Sequence, residues 1–542
     1  MPPGKSFSAE ADFDAVVVGA GFAGVYLVYR LRALGLSVRL YEAAPGVGGT
    51  WYWNRYPGAA CDIESLEYSY SFSDDLQREW SWSRRFAHQP EILAYINHVV
   101  DRFDLRRHMQ FETRVLSAAF DGDTALWRIA TDRSGEITAR FAAMAVGYMS
   151  TPKADEIDGL DRFAGELYRT FGWPDRPVEF GGKHVGVIGT GPSGIQCIPV
   201  IAEQAETLTV FQRTPNFSVS VQNGPMDSDY QDRIKATYHE VRRKERNSEC
   251  GIDIWMDALK IPTTAVSADE MEAELERRWE AGGLYLLTSY TDILFDPEAN
   301  AKVAEFVRKK IRAKIDDPEL AELLVPKGYA FGSRRVCTDS HYFETFNRPN
   351  VELVDIRSSP ILAVEEAGLR TTDRLHELDM LVLATGFDAL TGALERMDIR
   401  GRDDEALRDR WANGPLTNFG MMTAGFPNFF MEDCAHHPFT SYNTVPGVEF
   451  QTEWVTDLIE HMRRNLFRTV EPTLDAERWY TDHLQEVGAR TLLADGENWY
   501  NGANVRGKLR VLRSYYGGFQ SYKKLVLDSV AQDYAGFRFQ DM

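Results

Sequence analysis

Two apolar runs, at residues 13–18 (FDAVVV) and 184–188 (HVGVI), set the frame of this 542-residue chain. Neither shows the strict polar alternation of a half-exposed strand, so each reads as a strand buried on both faces of a parallel sheet. A glycine-rich hexad follows each run: Gly19-Ala-Gly21-Phe-Ala-Gly24 and Gly189-Thr-Gly191-Pro-Ser-Gly194. Apolar residues at helical spacing then predict helices to about residues 34 and 206, the first stopped by Gly35. Second strands are expected at 37–41 and 207–211. The chain thus holds two copies of a strand–loop–helix–strand unit.

Between about residues 225 and 326 the pattern changes. Stretches such as 270–280 and 301–314 carry charged faces with apolar residues three and four apart, and strand patterns are scarce. A helical insertion is predicted there. Strand patterns return at 351–354 and at 379–383, which runs into Ala384-Thr385-Gly386. The last third mixes aromatic-rich loops with helices, expected at 453–464 and 476–484.

Both hexads are GxGxxG fingerprints. The first glycine permits the tight turn, the second lets backbone approach a pyrophosphate, and the third lets helix and strand pack closely. The helix N-terminus offers free N–H groups and partial positive charge to the phosphates. One such hexad is weak evidence, but two, each between a strand and a helix, indicate two dinucleotide sites. The residues 23 positions after each first glycine separate them. Glu42 in the first unit can accept hydrogen bonds from a ribose hydroxyl, as in FAD or NAD. In the second unit Gln212 is followed by Arg213 and Thr214, which suit the 2′-phosphate of NADPH. The plainer alternative for Arg213 is a solvated loop cation.

The formal net charge of −21, with no run of like charges, disfavours nucleic acid as a partner. No apolar stretch reaches the roughly 18 residues of a membrane span, and the N-terminal residues have no apolar signal region. Cysteines 61, 197, 250, 337 and 434 form no CxxC pair, so neither a metal site nor a redox dithiol is expected. A cytoplasmic setting is expected. Nothing in the sequence specifies an oligomeric state.

Gly48-Gly49-Thr-Trp51-Tyr-Trp-Asn-Arg-Tyr56-Pro57-Gly58-Ala-Ala-Cys-Asp62 fits the pattern GGxWxxxxYPGxxxD at every fixed position. With Phe331-Gly-Ser-Arg334-Arg335, Ala384-Thr-Gly-Phe-Asp-Ala-Leu-Thr-Gly392 and Trp499-Tyr-Asn-Gly-Ala-Asn504, the whole chain resembles the type I Baeyer–Villiger monooxygenases. These are class B flavoprotein monooxygenases, and the likeness is closest to those acting on phenylacetone and cyclohexanone. The resemblance implies FAD in the first site and NADPH in the second. It implies hydride transfer to FAD, a C4a-peroxyflavin formed with O₂, and oxidation of a small-molecule ketone to an ester or lactone. It also implies roles for single residues. Arg335 is the catalytic cation and Asp62 the carboxylate that orients it, because an anionic oxygen must be held by a group that does not titrate. The alternative for this pair is an ordinary structural salt bridge. Arg334 joins Arg213 and Thr214 at the 2′-phosphate, Trp499 meets the nicotinamide-side ribose, and Gly49, Trp51 and Asp62 belong to the flavin site.

The expected fold is therefore α/β, with two Rossmann-like dinucleotide-binding domains and a helical insertion. The FAD domain combines residues 1–150 and 385–542, the NADP domain 151–222 and 331–384, and the insertion covers 223–330.

The pattern breaks at two places. The family signature FxGxxxHxxxW is kept from Phe163 to Trp173 except that Arg169 stands where the histidine belongs. Arginine there is longer, always charged and no acceptor. Where relatives carry a glycine- and proline-rich turn, this chain reads Met431-Glu-Asp-Cys-Ala-His-His-Pro-Phe439-Thr440-Ser-Tyr442. Tyr148, Phe439, Thr440 and Tyr442 are assigned to the substrate pocket. His436 and His437 are read as loop residues rather than metal ligands. Three readings stay open: a ketone oxygenase with an unusual pocket, a scaffold redirected to oxygenation at sulfur or nitrogen or to another biosynthetic oxidation, or a non-catalytic FAD/NADPH binder. The intact Asp62 and Arg335 speak against the last.

Overall fold

The computed structural model describes residues 11–252, 254–438 and 440–541, so Phe439, assigned above to the substrate pocket, lies outside the described residues. Strand β1 (Phe13–Val18), helix α1 (Phe22–Ala33) and strand β2 (Val38–Tyr41) form the first unit. β1 is fully buried over its last four residues, as a strand covered on both faces must be. It pairs in parallel with β2 on one side and with β3 (Gly135–Met144) on the other, with Val18 opposite both Tyr41 and Met144. Strands Val115–Asp121, Leu126–Thr131 and β3 extend this sheet as an antiparallel meander. The distant strands Asp398–Arg400 and Phe429–Met431 join the same sheet in parallel.

The second unit repeats the first. β4 (His184–Ile188), α2 (Pro192–Ala202) and β5 (Thr207–Gln212) lie in a five-stranded sheet that is parallel throughout. Its order is Val351–Asp355, β5, β4, Met380–Leu383 and Glu166–Arg169.

The two hexads are steric copies. Gly19 and Gly189 have φ of +103° and +109°, and a Cβ on either would lie 2.4 Å from the carbonyl oxygen of Ala145 or Ala384. Those residues follow directly on the neighbouring strands that end at Met144 and Leu383. A Cβ on Gly24 or Gly194 would sit 1.9 or 2.1 Å from the carbonyl of its own first glycine. Each helix therefore rests on its strand at a separation that only glycine allows.

Along the chain, between β5 and strand Val351–Asp355, lies the insertion, with helices Ser228–Ala236, Tyr238–Arg246, Ala268–Ala281, Pro297–Arg312 and Pro318–Leu324. Their N-termini are specified locally: Ser267 and Glu270 make a capping box, and Asp296 and Asp317 cap helices that begin with proline. Buried charge holds the insertion to the first domain. Glu64 accepts from Arg85 Nε at 2.7 Å, from the Tyr230 hydroxyl at 3.0 Å and from the Tyr285 hydroxyl at 3.3 Å. Arg242 reaches Gln77 at 2.9 Å and Ser69 at 2.7 Å.

Arg169, at the end of its strand, is bound in fork geometry by Asp155, Nε at 2.8 Å and Nη2 at 2.5 Å. The arginine thus has its own carboxylate partner, and the substitution adds no uncompensated charge.

Gly24→Ala is expected to cost at least about 2 kcal/mol, because the clash is with backbone that cannot yield. A melting curve and the flavin content of the purified protein check this. An unchanged melting temperature with full flavin content would contradict the steric account.

Candidate active site

The C-terminal ends of β1, β2 and β3 open into a cavity of about 780 Å³. Gly19, Gly21, Glu42, Gly49, Trp51 and Asp62 all line it. Glu42, at the end of β2, is buried, and its two oxygens accept from the amides of Ala20 and Ala44, each at 2.8 Å. Burial pushes its carboxyl pKa up, and those amide bonds oppose the shift. Gly49 has φ +52°, and a Cβ there would come within 2.8 Å of Gly21 Cα. The Gly48–Trp51 turn therefore closes directly over the fingerprint. Trp51 is buried, its indole N–H donating to the Tyr68 hydroxyl at 3.2 Å. A glycine cradle with a buried carboxylate at its far end fits the ADP half of FAD.

Pro192, Ser193 and Gln196 of α2 line the same cavity, so the two nucleotide sites converge. The Tyr56–Asp62 stretch makes the joint. Tyr56 donates its hydroxyl to Gln196 Oε1 at 2.8 Å, and Gln196 Nε2 donates to the Ala60 carbonyl at 3.0 Å. Gly58, at φ +81°, passes so close that a Cβ would meet the Gln196 carbonyl at 2.2 Å.

At the second site Gln212 is buried and donates to the Leu323 carbonyl at 2.8 Å, so it faces away from any ribose. Arg213 is exposed, and Thr214 accepts from Arg357 Nη2 at 2.9 Å. Arg334 lies over the Tyr329 ring, 4.7 Å from its centre. Burial lowers the pKa of Arg334, Tyr329 opposes this, and Arg213 and Arg357 lower it further. Burial and then Arg213 likewise lower that of Lys153. Four cations repel one another here, the signature of a site built for an anion, and they fit the 2′-phosphate of NADPH. Neither Lys153 nor Arg357 was anticipated from the sequence. Arg357 was detectable in principle, because strand Val351–Asp355 pairs in parallel with β5 at Asp355↔Gln212, a register that continues to residue 357 beside residue 214.

Arg335 sits where two cavities meet. Its Nε and Nη2 donate to Asp62 Oδ2 at 3.1 and 2.6 Å, and its Nη1 donates to the Thr440 carbonyl at 3.2 Å. Burial pulls its pKa down, but Asp62, Tyr500 and Tyr148 outweigh that, and the net shift is upward. Beyond it opens a larger cavity of about 1470 Å³, walled by the insertion and the last third of the chain. Ile63, Arg335, Thr440 and Tyr442 line both cavities. Tyr442 stacks on Phe519 at 3.7 Å between ring centres. Trp499 and Tyr148 both face the smaller cavity and stack on each other at 6.1 Å.

Most described residues of the unusual 431–442 loop are buried, although Ser441 is exposed and Asp433 partly so. His436 and His437 are completely inaccessible, and burial pushes both down to about 3, so both are neutral. His436 Nδ1 is paired with the Thr417 hydroxyl at 2.9 Å. Among the described residues no cluster of His, Cys, Asp or Glu is arranged to hold a metal ion.

The chain matches the family model described as pyridine nucleotide-disulphide oxidoreductase over residues 16–254. It is 40% identical over 532 residues to the acetone monooxygenase (methyl acetate-forming) of Gordonia sp. (strain TY-5), covering 97% of this chain and 98% of that protein. Among solved structures, an oxidized steroid monooxygenase bound to NADP superposes with a TM-score of 0.94 at 46% identity, covering 98% of this chain and 100% of that one. The OTEMO complex with FAD and NADP superposes with a TM-score of 0.93 at 39% identity, covering 98% of this chain and 100% of that one.

Arg357→Ala removes one charged donor from the four-cation site. The KM for NADPH is expected to rise about tenfold or more, with that for NADH unchanged. Parallel kinetics with the two cofactors check this, and equal effects on both would remove Arg357 from the phosphate site.

Proposed function

The chain belongs to the type I Baeyer–Villiger monooxygenases, and we propose that it inserts one oxygen atom beside the carbonyl of a bulky ketone, giving an ester or lactone. It is an FAD-dependent NADPH monooxygenase that consumes O₂. The observation that carries the assignment of the active site is Arg335, fixed by Asp62 on the wall common to both cavities.

Bound FAD, reduced by NADPH, supplies the activation of O₂. The protein's part is to receive the charge that this chemistry develops on oxygen. Asp62 occupies two of the three guanidinium nitrogens and the Thr440 carbonyl the third, so the Arg335 plane is held across the passage between flavin and substrate. A cation prearranged in that way stabilises negative charge without reorganising and without releasing a proton. The stacked Trp499 and Tyr148 rings close one side of the flavin cavity and limit the approach of water. Arg213, Thr214 and Arg334, with Lys153 and Arg357, hold the 2′-phosphate and so select NADPH.

The larger cavity exceeds the roughly 300–1,000 Å³ of ordinary small-molecule sites. Leu284, Leu287, Ile293, Leu294 and Phe295 contribute apolar lining. Volume and lining together support a multi-ring or long-chain ketone over a small one. We assign residues 1–150 and 385–542 to the FAD domain, which fits strands 398–400 and 429–431 in the first sheet. Residues 151–222 and 331–384 form the NADP domain and 223–330 the insertion. A cytoplasmic location fits a reaction that consumes NADPH, and no described helix is long and apolar enough to cross a membrane.

Arg335→Ala should still bind FAD and be reduced by NADPH, while ester formation falls at least about a hundredfold. Stopped-flow reduction, followed by product mass analysis over ketones of increasing size, checks both parts. Wild-type turnover of any ketone would take the catalytic role from Arg335, and oxygen transfer to sulfides or amines alone would overturn the ketone assignment.

A further inference from the structure

Two residues past strand Phe429–Met431, Asp433 stands on the wall of the flavin cavity. That strand pairs with β3 at Met431↔Met144, and β3 pairs with β1 at Met144↔Val18. Asp433 and the first glycine loop therefore leave the same edge of the sheet, two strands apart. The backbone of Asp433 is held at φ +53°, and its amide donates to Gln451 Oε1 at 3.0 Å. A non-glycine residue in the left-handed region is retained at some cost, and here the turn directs the carboxyl to the cavity.

That carboxyl is poorly matched within the protein. Oδ1 is buried and has no hydrogen-bond partner among the described residues. The nearest titratable nitrogen, His437 Nε2, is 3.8 Å away, beyond hydrogen-bond reach. Among the described residues no lysine or arginine pairs with Asp433. The side chain keeps 14% exposure, on the side of the cavity that it lines. A carboxyl with one buried, unpartnered oxygen is costly to hold there, and the part that remains exposed can bond to a group that enters the cavity.

The groups around it do not favour the charged form. On its own segment stand Glu432, whose Oε2 accepts from the Thr452 hydroxyl at 2.9 Å, and Cys434. His437 is neutral. From other elements come the phenols of Tyr148 and Tyr68. Arg335, on the same cavity wall, is already matched by Asp62. The N-terminus of helix Thr444–Asn465, whose Thr444 lines the cavity, adds favourable partial charge, and Arg114 and Arg396 also line that cavity. Burial pushes the Asp433 carboxyl well above the usual carboxylate range. Burial, and then the charge of Asp433, push Tyr148 up to about 12.

We propose that Asp433 is a flavin-contacting acid whose carboxyl hydrogen-bonds the bound FAD from the cavity wall and whose ionisation is felt by the flavin. This rests on FAD occupying the smaller cavity. A neutral acid donates one hydrogen bond and adds no charge. On ionisation the donor becomes an acceptor, and a negative charge is set against a ring that must itself take up electrons. The flavin then becomes harder to reduce. By linkage, a reduced flavin holds the Asp433 proton more tightly.

The test compares FAD-loaded wild-type protein with Asp433→Asn and Glu432→Gln, recording the flavin visible spectrum and midpoint potential from about pH 5 to 9, where raised carboxyls titrate. Wild type and Glu432→Gln are expected to share a one-proton inflection in both readouts. Asp433→Asn, whose amide mimics the neutral acid, should lack it and keep the low-pH spectrum throughout. An inflection that survives in Asp433→Asn, is lost only in Glu432→Gln, or is missing from wild type overturns the proposal. If Asp433→Asn does not retain FAD, reduced-minus-oxidised infrared spectra of Glu432→Gln decide. A protonated-carboxyl band that shifts on flavin reduction supports the assignment, and no carboxyl change overturns it. Protein that takes up no flavin overturns the cofactor assignment as well, whereas bound flavin without an inflection overturns this inference alone.

Discussion

Asp62 and Arg335 are 273 residues apart in the chain, yet their charged atoms meet at 2.6 Å. Asp62 ends the stretch that docks on α2, and Arg335 follows the insertion at the point where the chain re-enters the second domain. Their contact is purely tertiary and joins the first nucleotide unit to the chain that follows the insertion. Removing either partner would leave a largely buried charge without compensation, which costs far more than the pair contributes. The rest of the site is arranged around that constraint. The Thr440 carbonyl takes the remaining guanidinium nitrogen, and the two cavities meet at the same residue.

Charge is distributed unevenly for a chain whose formal balance is −21. Lys153, Arg213, Arg334 and Arg357, which we propose hold the 2′-phosphate, repel one another while Asp155, Glu156 and Glu497 only partly offset them. The flavin cavity follows the opposite rule. Of the cations on its wall, Arg335 is matched by Asp62, while behind the wall His437 is neutral and Glu432 is pushed up to about 8 by burial, so this side of the cavity carries little net charge. An outer site that attracts charge beside an inner site that suppresses it suits a cofactor that is held by its phosphate and reacts at its far end.

The parts of the fold that were legible in the sequence are those fixed by local sterics. The hexads could be read because a Cβ at Gly19, Gly24, Gly189 or Gly194 would strike backbone, so no larger residue can stand at those spacings. The insertion helices were legible through their periodicity and their Ser, Asp and Pro starts. The meander of 115–144 and the small antiparallel sheet of 361–377 were not predicted. Their strands are partly exposed and their registers are set by neighbours rather than by any motif. The same limit applies to the site. Arg213 and Arg335 stood inside or beside a motif, whereas Arg357 comes beside Thr214 through strand pairing and Lys153 comes near Arg213 from a loop. The 431–442 loop was legible as unusual, but the burial of most of its described residues depends on helices further along the chain, which supply Gln451 and Tyr480.

The insertion has a bearing on how such a protein changes over generations. Its helices supply no strand to either dinucleotide-binding sheet, yet Leu284, Leu287, Ile293 and Leu294 furnish much of the larger cavity's wall. With the ketone in the larger cavity, as we propose, substitutions at those positions would reshape its site without touching the glycine loops, Glu42 or the cation cluster. The scaffold thus divides labour between an inherited redox engine and an exchangeable glove. A lineage can try new substrates without first breaking the machine that consumes NADPH.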